Sequence, residues 1–312
     1  MENPLVSVIC LCYNQARFVK EALDAVANQT YAQVQLIVVD DASTDHSREV
    51  IAEWLTNRPE IVFIDLRQNL GNTQAFNQGL ALAKGKYVID LAGDDVLTLD
   101  RIEKQVAFFE QQEERVGVIY SDALYIDESG KELYRHFYNT GMIAYEGNVY
   151  EKLIDTYFVP TPTMMIRKRV LDELGGYDEN LAYEDFDFWV RSSRNWLYAY
   201  QAEMLTYVRL LRYSQSTSFY QKGDSKVGST LIVCQKAQRL NQSESENAAL
   251  INRLRYEIRH AFLAGKNIEL QGFFQLWAEL AKIPMTYMIL KRVGVFGLNF
   301  NWLKKPIQRL MN

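Results

Sequence analysis

Short apolar runs alternate with stretches of helical spacing through the first 95 residues. Residues 5–12 (LVSVICLC) are apolar and end in Tyr13-Asn14, which predicts a buried strand and then a turn. From 16 to 27, Phe18, Val19, Ala22, Leu23 and Val26 recur at the spacing of one helix face. Residues 35–39 predict a second buried strand that stops at Asp40-Asp41. Ser43 and Thr44 suit the N-cap of a helix through Val50, Ile51, Trp54 and Leu55. Residues 61–66 predict a third strand, and 73–83 a helix with Gly85 as its C-terminal cap. Residues 87–91 predict a fourth strand, followed by Ala92-Gly93-Asp94-Asp95. This alternation predicts an α/β, Rossmann-like unit with a mainly parallel, buried central sheet.

Beyond it, 100–113 has helical spacing and 116–121 reads as a strand. The stretch 122–150 is less regular, with Asp127-Glu128-Ser129-Gly130 as a turn. Residues 161–166 predict a strand running into a helix that ends at Leu174-Gly175-Gly176, and 184–194 a helix with Phe186, Trp189 and Val190 on one face. From about 225 onward the pattern is mostly helical.

Composition narrows the class. With 312 residues, 48% hydrophobic and 23% charged, the chain is long enough for one large or two modest globular domains. A net charge of −5 and a pI near 5.4 argue against a dedicated nucleic-acid binder. Three cysteines cannot build a disulfide framework, which points to a reducing compartment. The start, MENPLVSVICLCYN, lacks the basic and long apolar regions of a secretory signal, and no run of about 18 uncharged apolar residues predicts a membrane span. The expected location is cytoplasmic. Charge is uneven: beyond Glu279 there are six cations and no acid, so the tail carries +6 and the rest −11.

Several chemistries are absent. No G-x-G-x-x-G follows the first strand, no Walker A sequence is present, and three scattered histidines without H-E-x-x-H leave no histidine-based zinc site. What remains is acidic. Asp94-Asp95, after a strand and a glycine, suits a hard divalent ion that takes phosphate oxygens, and equally a solvated turn. Asp40-Asp41 fits a ligand site at a strand end or the approach to a helix, and Glu184-Asp185 fits a catalytic pair or simple helix capping.

Taken together, the segments VSVICLCYNQARFVKEALDAVANQTY, LIVVDDASTDHS, NLGNTQAFNQGLALAKGKYVIDLAGDD and GGYDENLAYEDFDFWVR resemble the family-2 glycosyltransferases, over roughly residues 4–215. The resemblance implies the nucleotide-sugar-binding GT-A fold and inverting transfer of a hexosyl or N-acetylhexosaminyl unit from a nucleotide diphosphate sugar. The donor would be a UDP-sugar, and the acceptor a hydroxyl of a bacterial polysaccharide or lipid-linked oligosaccharide of the cell envelope. It implies that Cys12, Tyr13 and Asn14 line the base and ribose pocket, that Asp41 accepts a hydrogen bond from the base, and that Arg67, Asn69 and Asn77 lie beside the nucleotide. Asp94 would hold Mn²⁺ or Mg²⁺ against the diphosphate, with Asp95 next to it, and Asp185 would be the catalytic base. Its place at a helix N-terminus would keep Asp185 ionised.

Two departures stand out. Ala92 occupies the first acid position of the D-x-D pattern, which leaves a metal fewer protein ligands. The stretch RLLRYSQSTS from Arg209 lacks the histidine of the family's R-x-H-x-x-S segment, leaving Arg212 or Tyr213 to meet the diphosphate. These departures keep open a non-catalytic nucleotide- or glycan-binding protein on the same fold. The expected division is a transferase domain over 1–220 and a helical extension over 221–312. In the extension, 280–312 either packs on the domain or rests on an anionic membrane surface through its aromatic residues and six cations.

Overall fold

The N-terminal apolar run forms strand β1 (Val6–Cys12), buried at every position. That is what a strand covered on both faces requires. The computed structural model describes residues 3–211 and 224–294. Helix α1 (Val19–Ala27) follows, burying Val19, Ala22, Leu23, Ala25 and Val26 on one face. Next come β2 (Val34–Asp40), α2 (Ser47–Leu55), β3 (Val62–Asp65), α3 (Asn72–Leu80) and β4 (Tyr87–Ala92). Strand β1 lies between β2 and β4, parallel to both, with Val8 opposite Leu36 and Ile89, and β3 extends the sheet parallel to β2.

Past β4 the chain forms β5 (Val96–Leu97), α4 (Arg101–Phe109), β6 (Val116–Ile126), β7 (Glu132–Arg135) and α5 (His136–Thr140). The order continues with α6 (Tyr150–Asp155), a 3-10 turn at Thr161–Thr163, β8 (Met165–Arg167), α7 (Lys168–Leu174), α8 (Asp185–Ser192) and β9 (Leu197–Arg209). All nine strands join one sheet in the order β3-β2-β1-β4-β8-β6-β9-β5, with β7 also on β6. It is parallel from β3 to β4 and mixed beyond, since β8 runs antiparallel to both β4 and β6 while β9 is parallel to β6.

Several boundaries differ from expectation for physical reasons. The helix placed after Ser43-Thr44 begins at Ser47, because Asp40 captures the Ser43 amide and hydroxyl at 2.9 and 2.5 Å and holds that stretch as a turn. Helix α3 ends before Gly85, whose role is close approach: a Cβ there would lie 2.5 Å from the Ser7 amide nitrogen. The strand expected over 116–121 runs on to Ile126. Strand β9, thirteen residues long, was not expected: its burial does not alternate cleanly, because its pairing with β6 slips at three places.

The backbone falls into two compact units. The first holds the chain up to Val149 with Phe158–Leu211, and the second takes Tyr150–Tyr157 with the chain beyond Leu211. In the second unit lie α6 and α9 (Lys226–Leu240), α10 (Glu244–Ala264), α11 (Asn267–Leu280) and α12 (Met285–Gly294). Ser243 caps α10 by accepting from the Glu246 amide at 3.1 Å, and Arg253 of α10 donates to the Ile154 carbonyl of α6 at 3.1 Å. That bond helps to place residues 150–157 with the C-terminal helices.

Buried Arg101 fastens the middle of the first unit. Its guanidinium donates to the Pro162 carbonyl and Thr206 hydroxyl at 2.8 Å, to the Met164 carbonyl at 3.0 Å and to Gln105 at 3.0 Å. Arg101→Met leaves those acceptors dry and unpaired, which should cost about 3 kcal/mol and lower the melting temperature by about 5 °C. Calorimetry of the two proteins checks this, and a drop within about 2 °C would contradict it.

Candidate active site

Strands β1, β2 and β4 end level with one another: Cys12 pairs with Asp40, and Leu11 with Ala92. The turns that leave them therefore share one rim, which in parallel sheets is where ligands bind. At the first turn Cys12 is buried and Tyr13 exposed, while Asn14 takes a left-handed φ of 56°. The Asn14 side-chain oxygen accepts from the Thr44 amide at 2.7 Å and the Asp45 amide at 3.2 Å, pinning the β2 turn to the β1 turn.

Asp41 is 5% exposed, and its two oxygens accept from the Leu70 amide at 2.7 Å and the Gly71 amide at 2.9 Å. Burial still outweighs those bonds and pushes its carboxyl above the usual range. The bonds draw the start of α3 against the end of β2. Arg67 and Asn69, on the loop before α3, are both exposed, and Arg67 lies 3.7 Å from Asp65. Asn77 faces elsewhere: it accepts from the Tyr177 amide and donates to the Tyr177 carbonyl, both at 2.9 Å, and donates to Glu179 at 3.0 Å. Gly176, at φ 79°, makes room for it, since a Cβ there would sit 2.4 Å from the Asn77 oxygen.

The β4 turn carries two acids in different settings. Asp94 accepts from the Gln15 side-chain Nε2 at 2.6 Å, and burial lifts its carboxyl to about 6. Asp95 is 3% exposed and accepts from the Arg209 backbone amide at 2.9 Å. Burial and the neighbouring Asp94 raise it. Arg209, the last residue of β9, binds the whole turn. It donates to the Asp94 carbonyl at 3.0 Å, the Asp127 carbonyl at 3.3 Å and Glu21 at 2.6 Å, and its guanidinium lies 4.8 Å from the centre of the Phe18 ring. Sequence reasoning placed Arg209 only at the head of a motif segment and did not assign it a role.

Asp185 opens α8, and its Oδ1 is shut away from water with no hydrogen-bond partner. Burial raises its carboxyl well above the usual range, and the charges of Glu184 and Asp90 add to the rise while the Thr161 hydroxyl opposes it. Desolvation among acids thus works against the ionisation that the helix N-terminus was expected to favour at Asp185. Tyr125 on β6 stacks on Tyr134 at 4.6 Å, and burial with the fields of Tyr134, Asp95, Asp122 and Asp185 raises its phenol. It fell in the stretch 122–150 that the sequence pattern left irregular, so nothing marked it beforehand. Arg212 lies outside the described residues.

Among the described residues no three His, Cys, Asp or Glu side chains converge as a metal cage. The donor set still fits a hard divalent cation that keeps water and takes most of its ligands from a phosphate group. Asp94 supplies one carboxylate with a single hydrogen bond to Gln15 on its Oδ1.

Residues 7–175 match the sequence profile of Glycosyl transferase family 2. The chain belongs to that family. A relative from Methanocaldococcus jannaschii, described as an uncharacterized glycosyltransferase, is 31% identical over 211 residues, covering 62% of this chain and 67% of its own length. The family fold agrees with two solved structures. TarS from S. aureus, crystallised with UDP, superposes with a TM-score of 0.69 at 18% identity over 98% of this chain and 91% of its own. The mannosyltransferase PcManGT from Pyrobaculum calidifontis, solved with GDP-Man and Mn²⁺, gives 0.62 at 17% identity over 95% and 81%. The first unit is thus a GT-A glycosyltransferase fold, with C-terminal helices following it.

A carboxyl raised on folding favours the folded state below its unfolded value and withdraws that favour as pH climbs through the folded value. Asp185 is such a group. Asp185→Asn should therefore melt above wild type at pH 8, with the gap closing as the pH falls toward about 4. Melting curves across that window check the sign, and a pH-independent gap would contradict it.

Proposed function

We propose that this family-2 glycosyltransferase moves a hexosyl or N-acetylhexosaminyl unit from a UDP-sugar to a hydroxyl of a polysaccharide or lipid-linked oligosaccharide, with inversion. The observation that carries this reading is the shared rim. Asp41 and Asp94 follow the level ends of β2 and β4, and Asp185 opens α8 within the field of β4's Asp90.

In this reading the nucleotide lies across the ends of β1 and β2. Cys12, Tyr13 and Asn14 flank the base and ribose, and Arg67 and Asn69 approach from the exposed loop. Asp41, already accepting two amides, has lone pairs left for a ring N–H of the base. Asn77 acts one layer back, holding the Gly176-Tyr177 turn. Asp94, with Asp95 beside it, would hold Mn²⁺ or Mg²⁺, which supplies positive charge against the diphosphate. The mannosyltransferase neighbour binds GDP-Man with Mn²⁺, and the TarS neighbour binds UDP. Arg212 is proposed to meet the diphosphate.

Transfer is a single displacement. The acceptor oxygen forms a bond to the anomeric carbon as the bond from that carbon to the diphosphate oxygen breaks, and the leaving diphosphate keeps the electron pair. Asp185 takes the acceptor's proton. Its raised carboxyl suits this, because a carboxylate held above its usual range accepts a proton more readily.

Thermal stability in UDP, GDP and dTDP, each with and without Mn²⁺, tests the donor site on wild type and Asp94→Ala. UDP with Mn²⁺ at about 100 times its dissociation constant should add about 2.7 kcal/mol, and Asp94→Ala should remove the metal-dependent part. Stabilisation by none of the three contradicts the reading.

Placement at the cytoplasmic face of a membrane is a second part of the proposal. Among the described residues no helix is long and apolar enough to cross a bilayer. Helix α12 nevertheless exposes Met285 (79%), Ile289 (60%) and Val293 (37%) at successive turns, with Lys282 and Arg292 exposed nearby. Such a stripe with cations suits an anionic surface. Sedimentation with phosphatidylglycerol vesicles should capture the protein, and Met285→Glu/Ile289→Glu should weaken capture about tenfold or more. Equal capture of the variant contradicts the membrane role.

A further inference from the structure

Gln15 stands one residue past the Tyr13-Asn14 turn, and its backbone is held from both sides. Its amide donates to the Ser47 hydroxyl at 2.9 Å, and its carbonyl accepts from the Phe18 and Val19 amides at 2.8 and 2.9 Å as α1 begins. Ser47 is buried and in turn donates its hydroxyl to Asp45 at 2.5 Å. The root of the Gln15 side chain is thus fixed before its amide makes any bond.

That side chain bridges two turns. Its Oε1 accepts from the Tyr13 amide at 3.3 Å, and its Nε2 donates to Asp94 Oδ1 at 2.6 Å, across 79 positions of sequence. Gly93 leaves room for it, since a Cβ there would lie 2.8 Å from Gln15 Oε1. The Gly93 amide donates to the Leu11 carbonyl at 2.7 Å, which holds the start of the β4 turn against β1.

The chemistry of the partner matters here. A Lys or Arg in that place would neutralise Asp94 and repel a cation, whereas an amide N–H orients the carboxylate without adding charge. The bond engages Oδ1 and leaves Oδ2 for a cation. Ala92 offers no ligand, and Asp95 is committed to the Arg209 amide, so the aim of one carboxylate counts for more.

We propose that Gln15 is a positioning residue for Asp94: it holds that carboxylate in the orientation that binds the divalent cation of the donor complex. This rests on the reading of Asp94 as the metal-holding acid. Partners that orient a metal ligand in this way are worth roughly ten- to a hundredfold in metal affinity.

The test is calorimetric titration of the full chain with UDP, once without metal and once in saturating Mn²⁺. The ratio of the two dissociation constants measures what the metal contributes. Gln15→Met, which keeps the length and removes the N–H, should cut that ratio about tenfold or more while metal-free UDP affinity stays within about twofold. Gln15→Asn, whose amide stops one carbon short of Asp94, should cut it in the same direction, and it decides the matter if Gln15→Met does not fold. Because Gln15 acts through Asp94, adding Gln15→Met to Asp94→Ala should change the ratio no further. An unchanged ratio, including one kept by equal losses with and without metal, overturns the proposal and leaves Gln15 a plain tie between turns. Asp94→Ala separates the two claims: a ratio that survives it removes the metal reading of Asp94, whereas a ratio lost there but kept in Gln15→Met removes only the role of Gln15.

Discussion

Everything at this site depends on three parallel strands ending at the same level. The pairing of Cys12 with Asp40 and of Leu11 with Ala92 brings the Tyr13-Asn14 turn and two acid-bearing turns to one edge, and the buried sheet behind them withholds water. Carboxylates so placed repel one another and resist ionising unless each finds a partner. Asp41 has two backbone amides, Asp94 has Gln15, and Asp95 has the Arg209 amide. Asp185 Oδ1 is left without one. Such a group is a cost to the fold, and it is where a proton is most easily received.

Arg209 reconciles the acids with the rest of the domain. From the end of β9 it reaches the Asp94 carbonyl, the Asp127 carbonyl and Glu21 of α1, so one guanidinium couples a turn, a hairpin and a helix. Glu21 is largely exposed, which makes that ion pair worth little in stability. The bonds to the two carbonyls matter more, because they set the path of the backbone that aims Asp94. Asn77 and Arg191 do the same on the other side for the turn before α8, and both act through carbonyls of residues 174–177.

Much of this was legible beforehand. The apolar runs that became β1, β2 and β4 are continuous because those strands are covered on both faces, and each acid pair follows directly, so both the sheet and its rim could be read from pattern. Strand β9 could not, since the register slips against β6 scramble the alternation that would mark it. Arg209 was hidden for the same reason: its value lies in partners up to 188 positions away. The pull against ionisation at Asp185 was not legible because a helix end is visible in sequence, whereas the burial that acts against it is not. Asn77 shows the converse, a residue noticed for a ligand that proves to hold a neighbouring turn.

The central claim is that turns separated by up to 80 residues form one nucleotide site. Hydrogen–deuterium exchange of the full chain with and without UDP and Mn²⁺ tests it most directly. The account predicts joint protection of amides in 12–15, 41–45, 69–72 and 93–95. Protection confined to one of these segments, or found only among the C-terminal helices, would contradict it.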